Sequence, residues 1–167
     1  MSQPAIRPRV ATEADVAALV RVINRAYVIE RAFVDGDRTD EEQVRDRLTT
    51  PNAVFLVVDD GAAPSELAAA IWVEVRGTRG YFGMLAVDPK RQGSGLGRLL
   101  VTAAEEHCRA ARCTFLDITI VSARTELPAF YARFGFAPYD IGAFESRAPV
   151  TKPVHVIKMT KPLGPLW

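Results

Sequence analysis

The chain has 167 residues, 49% hydrophobic and 25% charged, with 21 Lys and Arg against 20 Asp and Glu. At roughly 150 residues per domain this length predicts one domain spanning 1–167, large enough to bury a core without disulfide staples. A net charge of +1 speaks against a dedicated nucleic-acid binder and against a basic membrane-binding face.

The N-terminal stretch MSQPAIRPRV has no apolar signal-like core, and no run reaches the 18 apolar residues of a membrane span. Residues 5–10 predict a short edge strand, because Pro8 excludes a central one. Thr12 to Asp15 reads as a helix start, followed by one apolar face at Val16, Leu19, Val20, Ile23 and Tyr27. A second start at Thr39 to Glu42 opens a shorter helix carrying Val44 and Leu48, with Pro51 beyond it. Residues 53–59, 67–76 and 81–87 then read as three strands joined by turns, the second turn being Gly77 to Gly80. They predict an antiparallel meander.

The pattern changes after Val87. Asp88-Pro89 leads through a Gly-rich loop into a helix over about 96–109, with Leu96, Leu99, Leu100, Ala103 and His107 on one face. Residues 115–121 form the next strand, so this strand–helix–strand unit predicts a right-handed parallel crossover. Thr125 reads as the cap of a short helix, with Leu127, Phe130, Tyr131 and Phe134 facing inward and Gly135 closing it. Strands near 136–141 and 154–160 finish the chain. The sum is an α/β (α+β) fold: a mixed, mostly antiparallel six- to seven-stranded sheet with helices on both faces.

The Gly-rich loop carries the chemistry. Gly93, Gly95 and Gly97 lie between a strand and a helix, where glycine lets successive N–H groups turn into one concavity. The helix start adds its positive dipole end, and Lys90, Arg91 and Arg98 add charge, which suits a phosphate or pyrophosphate. A Walker A loop needs Gly-Lys-Ser/Thr, which is absent. A dinucleotide loop needs a third glycine where Arg98 or Leu100 stands. Cys108 and Cys113 read as reduced thiols of a cytoplasmic protein. With His107 and His155, they do not make a metal site.

Gln92-Gly-Ser-Gly95-Leu-Gly97 resembles the [RQ]-x-x-G-x-[GA] loop of the GNAT N-acetyltransferase superfamily, and Met84 to Pro89 is similar to the strand and turn before it. Leu127 to Phe136 is similar to that family's FY…GF helix, and His155 to Lys161 to its last strand. The resemblance covers about 5–161. It implies an acyltransferase with acetyl-CoA as co-substrate and no metal. The backbone of Gln92, Gly93, Ser94, Gly95, Leu96, Gly97 and Arg98 would hold the pyrophosphate. The pantetheine arm would lie along Leu85 and Val87, and a strand bulge near Leu85–Ala86 would free an amide for the thioester oxygen.

The same resemblance makes Tyr131 the general acid on the departing sulfur. Many family members carry a glutamate on the strand before the loop, where this chain has Tyr81-Phe-Gly-Met-Leu-Ala-Val87 and no carboxylate. Glu74 on the neighbouring strand is one substitute base, and Glu30 is another. The family's acceptor site is roofed by the connection between the first two helices, here containing Tyr27, Glu30, Phe33, Asp35 and Asp37. The expected reaction is direct attack by an amine of a small molecule or peptide on acetyl-CoA in a ternary complex. A non-catalytic acyl-CoA-binding module, a longer acyl donor and an oxygen nucleophile are other readings of the same residues. The tail Pro162 to Trp167 could cover a sheet edge or meet a second copy, which leaves a homodimer open.

Overall fold

The computed structural model describes residues 6–164. It contains strands β1 (Arg9–Val10), β2 (Ala53–Asp59), β3 (Leu67–Arg76), β4 (Arg79–Val87), β5 (Phe115–Val121), β6 (Ala137–Ala143) and β7 (His155–Pro162). Four α-helices join them: α1 (Val16–Ala26), α2 (Glu41–Leu48), α3 (Leu96–Ala110) and α4 (Leu127–Ala132). The seven strands form one sheet in the order β1-β2-β3-β4-β5-β7-β6. Every pairing is antiparallel except β4 with β5, which α3 connects as a parallel crossover. The mixed sheet and its crossover are as the sequence predicts. Residue 5 of the expected first strand and residues 165–167 of the apolar tail lie outside the described residues.

Strand periodicity divides the core into two layers. On β2, Phe55 and Val57 join α1 and α2 on one face, while Leu56 and Val58 join the α3 layer on the other. Successive strand side chains point to opposite faces, so covering both faces makes β2 and β3 read as continuous apolar runs. Of the stripe predicted for α1, Val16, Leu19 and Ile23 are buried in one layer, Val20 and Tyr27 are partly buried, and Val22 joins them as a buried residue. On α3 the buried stripe is rotated from the sequence expectation. Leu100, Val101, Ala104 and Cys108 are buried and His107 is only partly covered.

Three local expectations shift. The α2 cap is Asp40, not Thr39: the Asp40 carboxylate accepts from the Gln43 amide at 2.9 Å. Thr39 is buried, and the Asn24 carboxamide bonds both its N–H (2.9 Å) and its C=O (3.0 Å). The N-cap of α4 is Glu126 rather than Thr125. Gly80 is a strand residue, not part of the β3–β4 turn. A side chain there would collide with Cys108 of α3, so the glycine sets how closely helix and sheet pack. That burial pushes the Cys108 thiol up to about 12. Cys108 and Cys113 are both free and buried.

Two irregularities in β4 shape the functional region. Its parallel pairing with β5 covers only Arg79↔Phe115, Gly80↔Leu116 and Tyr81↔Asp117. Beyond Tyr81 the two strands part, while β5 stays paired with β7 along its whole length. The register against β3 passes from Trp72↔Gly83 to Ala70↔Ala86, so Met84 and Leu85 together oppose Ile71. This is a β-bulge, and Met84 within it takes a left-handed φ of 52°.

Candidate active site

The parting of β4 and β5 opens a cleft of about 950 Å³. Its walls are β4, β5 and α4, its floor end is the loop before α3, and the segment after α1 lies over the other end. Among the described residues, no group of three or more His, Cys, Asp or Glu side chains could hold a metal ion. None of their helices is long and apolar enough to cross a membrane.

The loop end is built from backbone. Asp88 is buried and anchors the turn: its N–H donates to the Ala68 carbonyl at 2.8 Å, and its carboxylate accepts from the Lys90 amide at 3.0 Å. Arg25 donates to the same carboxylate at 3.0 Å, tying the loop to α1. Gly93 and Gly95 have φ of 83° and 85°, and Gly95 is the left-handed residue from which α3 starts. A side chain at either would meet open space, so the backbone angle is what demands glycine there. Gly97 has no such angle, and a side chain there would make ordinary contacts with Phe130 and Val87. The loop thus needs two of its three glycines for conformation. Gln92, Gly93, Gly95, Leu96, Gly97 and Arg98 line the cleft, with the free amides of the α3 start among them. Ser94 does not: its hydroxyl turns back to the Arg91 carbonyl.

On β4, Leu85 and Val87 line the cleft, whereas Ala86 points into the α1–α2 layer and is fully buried. The bulge reverses the face each residue would otherwise take, which is why alternation across the whole strand misplaces side chains here. Past Tyr81 the β5-facing edge of β4 has no strand partner, so its polar backbone groups face the opening.

Tyr131 of α4 stands in the wall, 7% exposed. Phe130, Phe82 and Phe136 surround its ring, with centroids 5.0, 5.9 and 5.9 Å away. Burial holds its phenol well above the ordinary range. The turn after α4 closes on Gly135, whose φ is 94°.

The far end is built from side chains. Tyr27 and Glu30 come from the segment after α1, Arg38 from the chain before α2, Arg124 and Glu126 from the β5–α4 connection, and Phe144 from the end of β6. Glu30 is 7% exposed, and its carboxylate accepts from Arg124 at 3.2 Å. Arg124 also donates to Glu126 at 2.6 Å. Burial raises the Glu30 carboxyl, with Arg38 and Arg124 pulling the other way. Burial also pushes the Tyr27 phenol up to about 12. The loop 144–151 holds this segment in place. The Asp35 amide donates to Pro149 and the Thr151 amide to Phe33, both at 2.8 Å, and Phe33 packs edge-on against Phe144 at 6.1 Å.

Of the other residues singled out in the sequence, Phe33 is buried beneath this roof and does not line the cleft. Asp37 pairs with Arg31 at 2.6 Å on an adjoining smaller pocket. Glu74 is outside the cleft, because β3 is one strand removed from the opening and Arg76 takes its carboxylate. His155 and Cys113 also lie outside it. Tyr81, Arg38, Arg124 and Phe144 are cleft residues the sequence reading missed. No motif surrounds them, and only the packing of four distant segments brings them together.

Comparison with known proteins agrees with this architecture. A mycothiol acetyltransferase of Gordonia bronchialis is 31% identical over 136 residues, covering 78% of this chain and 43% of that protein. The chain thus spans less than half the length of the curated relatives it matches. The ribosomal-protein-S18-alanine N-acetyltransferase of Escherichia coli superposes with a TM-score of 0.77 at 16% identity, covering 98% of this chain and 97% of that one. A phosphinothricin acetyltransferase of Sinorhizobium meliloti, solved in complex with AcCoA, gives a TM-score of 0.73 at 16% identity over 96% and 90% of the two chains. The family model described as "Acetyltransferase (GNAT) family" matches residues 18–136, a span that holds the parted strands, the glycine loop and Tyr131, and the chain belongs to that family.

Proposed function

We propose that this chain is an acetyl-CoA-dependent N-acetyltransferase whose acceptor amine attacks the thioester directly in a ternary complex. The observation that carries the reading is one continuous cleft with a left-handed glycine loop at one end, an unpaired strand edge along its side and Tyr131 in its wall. Backbone amides of Gln92, Gly93 and residues 95–98, with the dipole of α3 behind them, suit a pyrophosphate. The open edge of β4 at Leu85 and Val87 suits an extended amide-bearing arm, added as a strand would be.

Bond by bond, the amine nitrogen attacks the thioester carbon and the oxyanion draws on a backbone amide released by the Met84–Leu85 bulge. The C–N bond forms, the C–S bond breaks, and Tyr131 passes its proton to the leaving sulfur. A buried phenol stays protonated at neutral pH, as an acid must. Glu30 takes the amine's proton. Its raised carboxyl and its position on the cleft favour it over Glu74, which lies outside the cleft. Acetyl-CoA as donor and two reduced thiols suit a cytoplasmic enzyme acting on a small-molecule or peptide amine.

Thermal shift with acetyl-CoA, CoA, ATP and NAD tests the donor. A ligand at 100 times its Kd adds about 2.7 kcal/mol, and a chain of this size gains roughly 2–4 °C per kcal/mol. Stabilisation by acetyl-CoA and CoA alone is the expected result, followed by CoA release with an amine. Stabilisation by ATP or NAD alone overturns the reading.

A further inference from the structure

Beside the acceptor end of the cleft lies a smaller pocket of about 220 Å³, which shares Tyr27, Glu30, Arg38 and Phe144 with it. Three arginines line this pocket; Arg147 is exposed, while Arg38 at the junction and Arg47 of α2 are not. The latter two are half-buried and both lie over aromatic rings: Arg38 over Tyr27 at 5.3 Å and Arg47 over Trp72 at 4.6 Å. Their backbones are pinned as well. Asn24 grips Thr39 next to Arg38, and the Trp72 indole donates to the Arg47 carbonyl at 3.2 Å.

Among the described residues, neither Arg38 nor Arg47 has a carboxylate within ion-pair distance. Among the described residues, Arg124 takes Glu30 and Glu126, Arg31 takes Asp37, and Arg45 takes Glu13 and Glu41. Arg38 and Arg47 make no such pair, although Arg38 feels the field of Glu30 and Arg47 that of Glu74. Glu145 and Arg147 on the pocket rim are exposed. Burial and the charge of Arg38 both make the cationic form of Arg47 harder to hold. A stacked guanidinium keeps its in-plane N–H donors free, and two unpaired cations side by side are costly until an anion joins them.

We infer that the acceptor is an amine bearing its own oxyanion, a carboxylate or a phosphate, which Arg38 and Arg47 bind while the amine faces Glu30. This rests on the acetyl-transfer reading above. The two arginines are binding residues and take no part in the bond changes.

The test uses matched acceptors that differ only in charge: an α-amino acid against its carboxamide, and an aminoalkyl phosphate against the amino alcohol. CoA release should favour the anionic member of at least one pair by about tenfold or more in kcat/KM, the scale of a charge-assisted bidentate contact. The pair showing the preference tells carboxylate from phosphate. R38Q and R47Q should each collapse that preference, while R45Q, on the exposed face of α2 and paired with Glu13 and Glu41 away from the pocket, should keep it. Equal or better use of the neutral members, or an equal collapse in R45Q, overturns the inference. A second readout needs no turnover. With acetyl-CoA saturating the glycine loop, acetate and inorganic phosphate should shift the arginine Nε–H NMR signals that R38Q and R47Q identify. Unmoved signals overturn the anion site even where amines are acetylated. Shifted signals without turnover of any amine uphold the anion site and overturn the transferase reading instead.

Discussion

The two ends of the cleft are made in different ways. The proposed donor end is backbone: two left-handed glycines, the start of α3 and the unpaired edge of β4. The acceptor end is side chain: Tyr27, Glu30, Arg38, Arg124 and Phe144, drawn from segments far apart in the chain. A backbone site depends on a few residues that permit its angles and is indifferent to most others. A side-chain site depends on each residue it uses. Under the proposed function, the backbone end would hold one fixed ligand across many sequences, while the side-chain end is free to differ.

Perturbations should separate the two ends, the largest effect coming where they meet. Tyr131→Phe should lower kcat by roughly 10²–10⁴, read as CoA release under chemistry-limited conditions. An unchanged kcat would remove Tyr131 from the reaction and leave its ring as core packing. Glu30→Gln should lower kcat/KM by roughly 10²-fold. Its pH profile carries the sign. Burial raises the Glu30 carboxyl, and a base works only when ionised, so activity should climb with pH through that raised value and then level. The substitution should erase this acidic limb; a limb that survives assigns the titration to another group.

Changes to the backbone frame should read out in stability, and at the donor end also in acetyl-CoA binding. Gly80→Ala forces a methyl group against Cys108 and should cost about 1–3 kcal/mol by overpacking, measured in denaturant. Gly95→Ala meets open space but keeps a left-handed φ of 85°, so about 1–2 kcal/mol of strain and a weaker acetyl-CoA KM are expected. Matching acetyl-CoA affinity in Gly95→Ala and the parent would break the contrast, because the loop backbone would then not be the donor site. The smallest effect is Asp40→Ala, which removes the α2 cap. It should cost about 1 kcal/mol and a few degrees of Tm, with the acetyl-CoA KM untouched.

Legibility in the sequence follows the same division. The glycine loop, the α1 stripe and the α3 crossover were readable because local rules make them: positive φ needs glycine, and a period of three to four marks a helix face. Tyr131 and the loop residues came from a contiguous motif. Local reading failed where packing decided. Gly80 looks like turn chemistry, yet it admits Cys108 between helix and strand. Thr39 looks like a cap, yet Asn24 claims its backbone and leaves Asp40 to start α2. Ala86 and Ser94 sit inside the donor motif but face away from the cleft, one through the bulge and one through its bond to Arg91.

The sequence alone determined the elements, their order and the glycine-dictated turn of one loop, since each depends on neighbours within a few residues. Tertiary structure decided the rest. β4 parts from β5 beyond Tyr81, and no residue near Tyr81 announces it. Arg38, Arg47, Arg124 and Glu30 are separated by as many as 94 positions in the chain, and their charges acquire meaning only when the fold buries them side by side. A charge in water is nearly indifferent to its neighbours. Partly buried, it is governed by them.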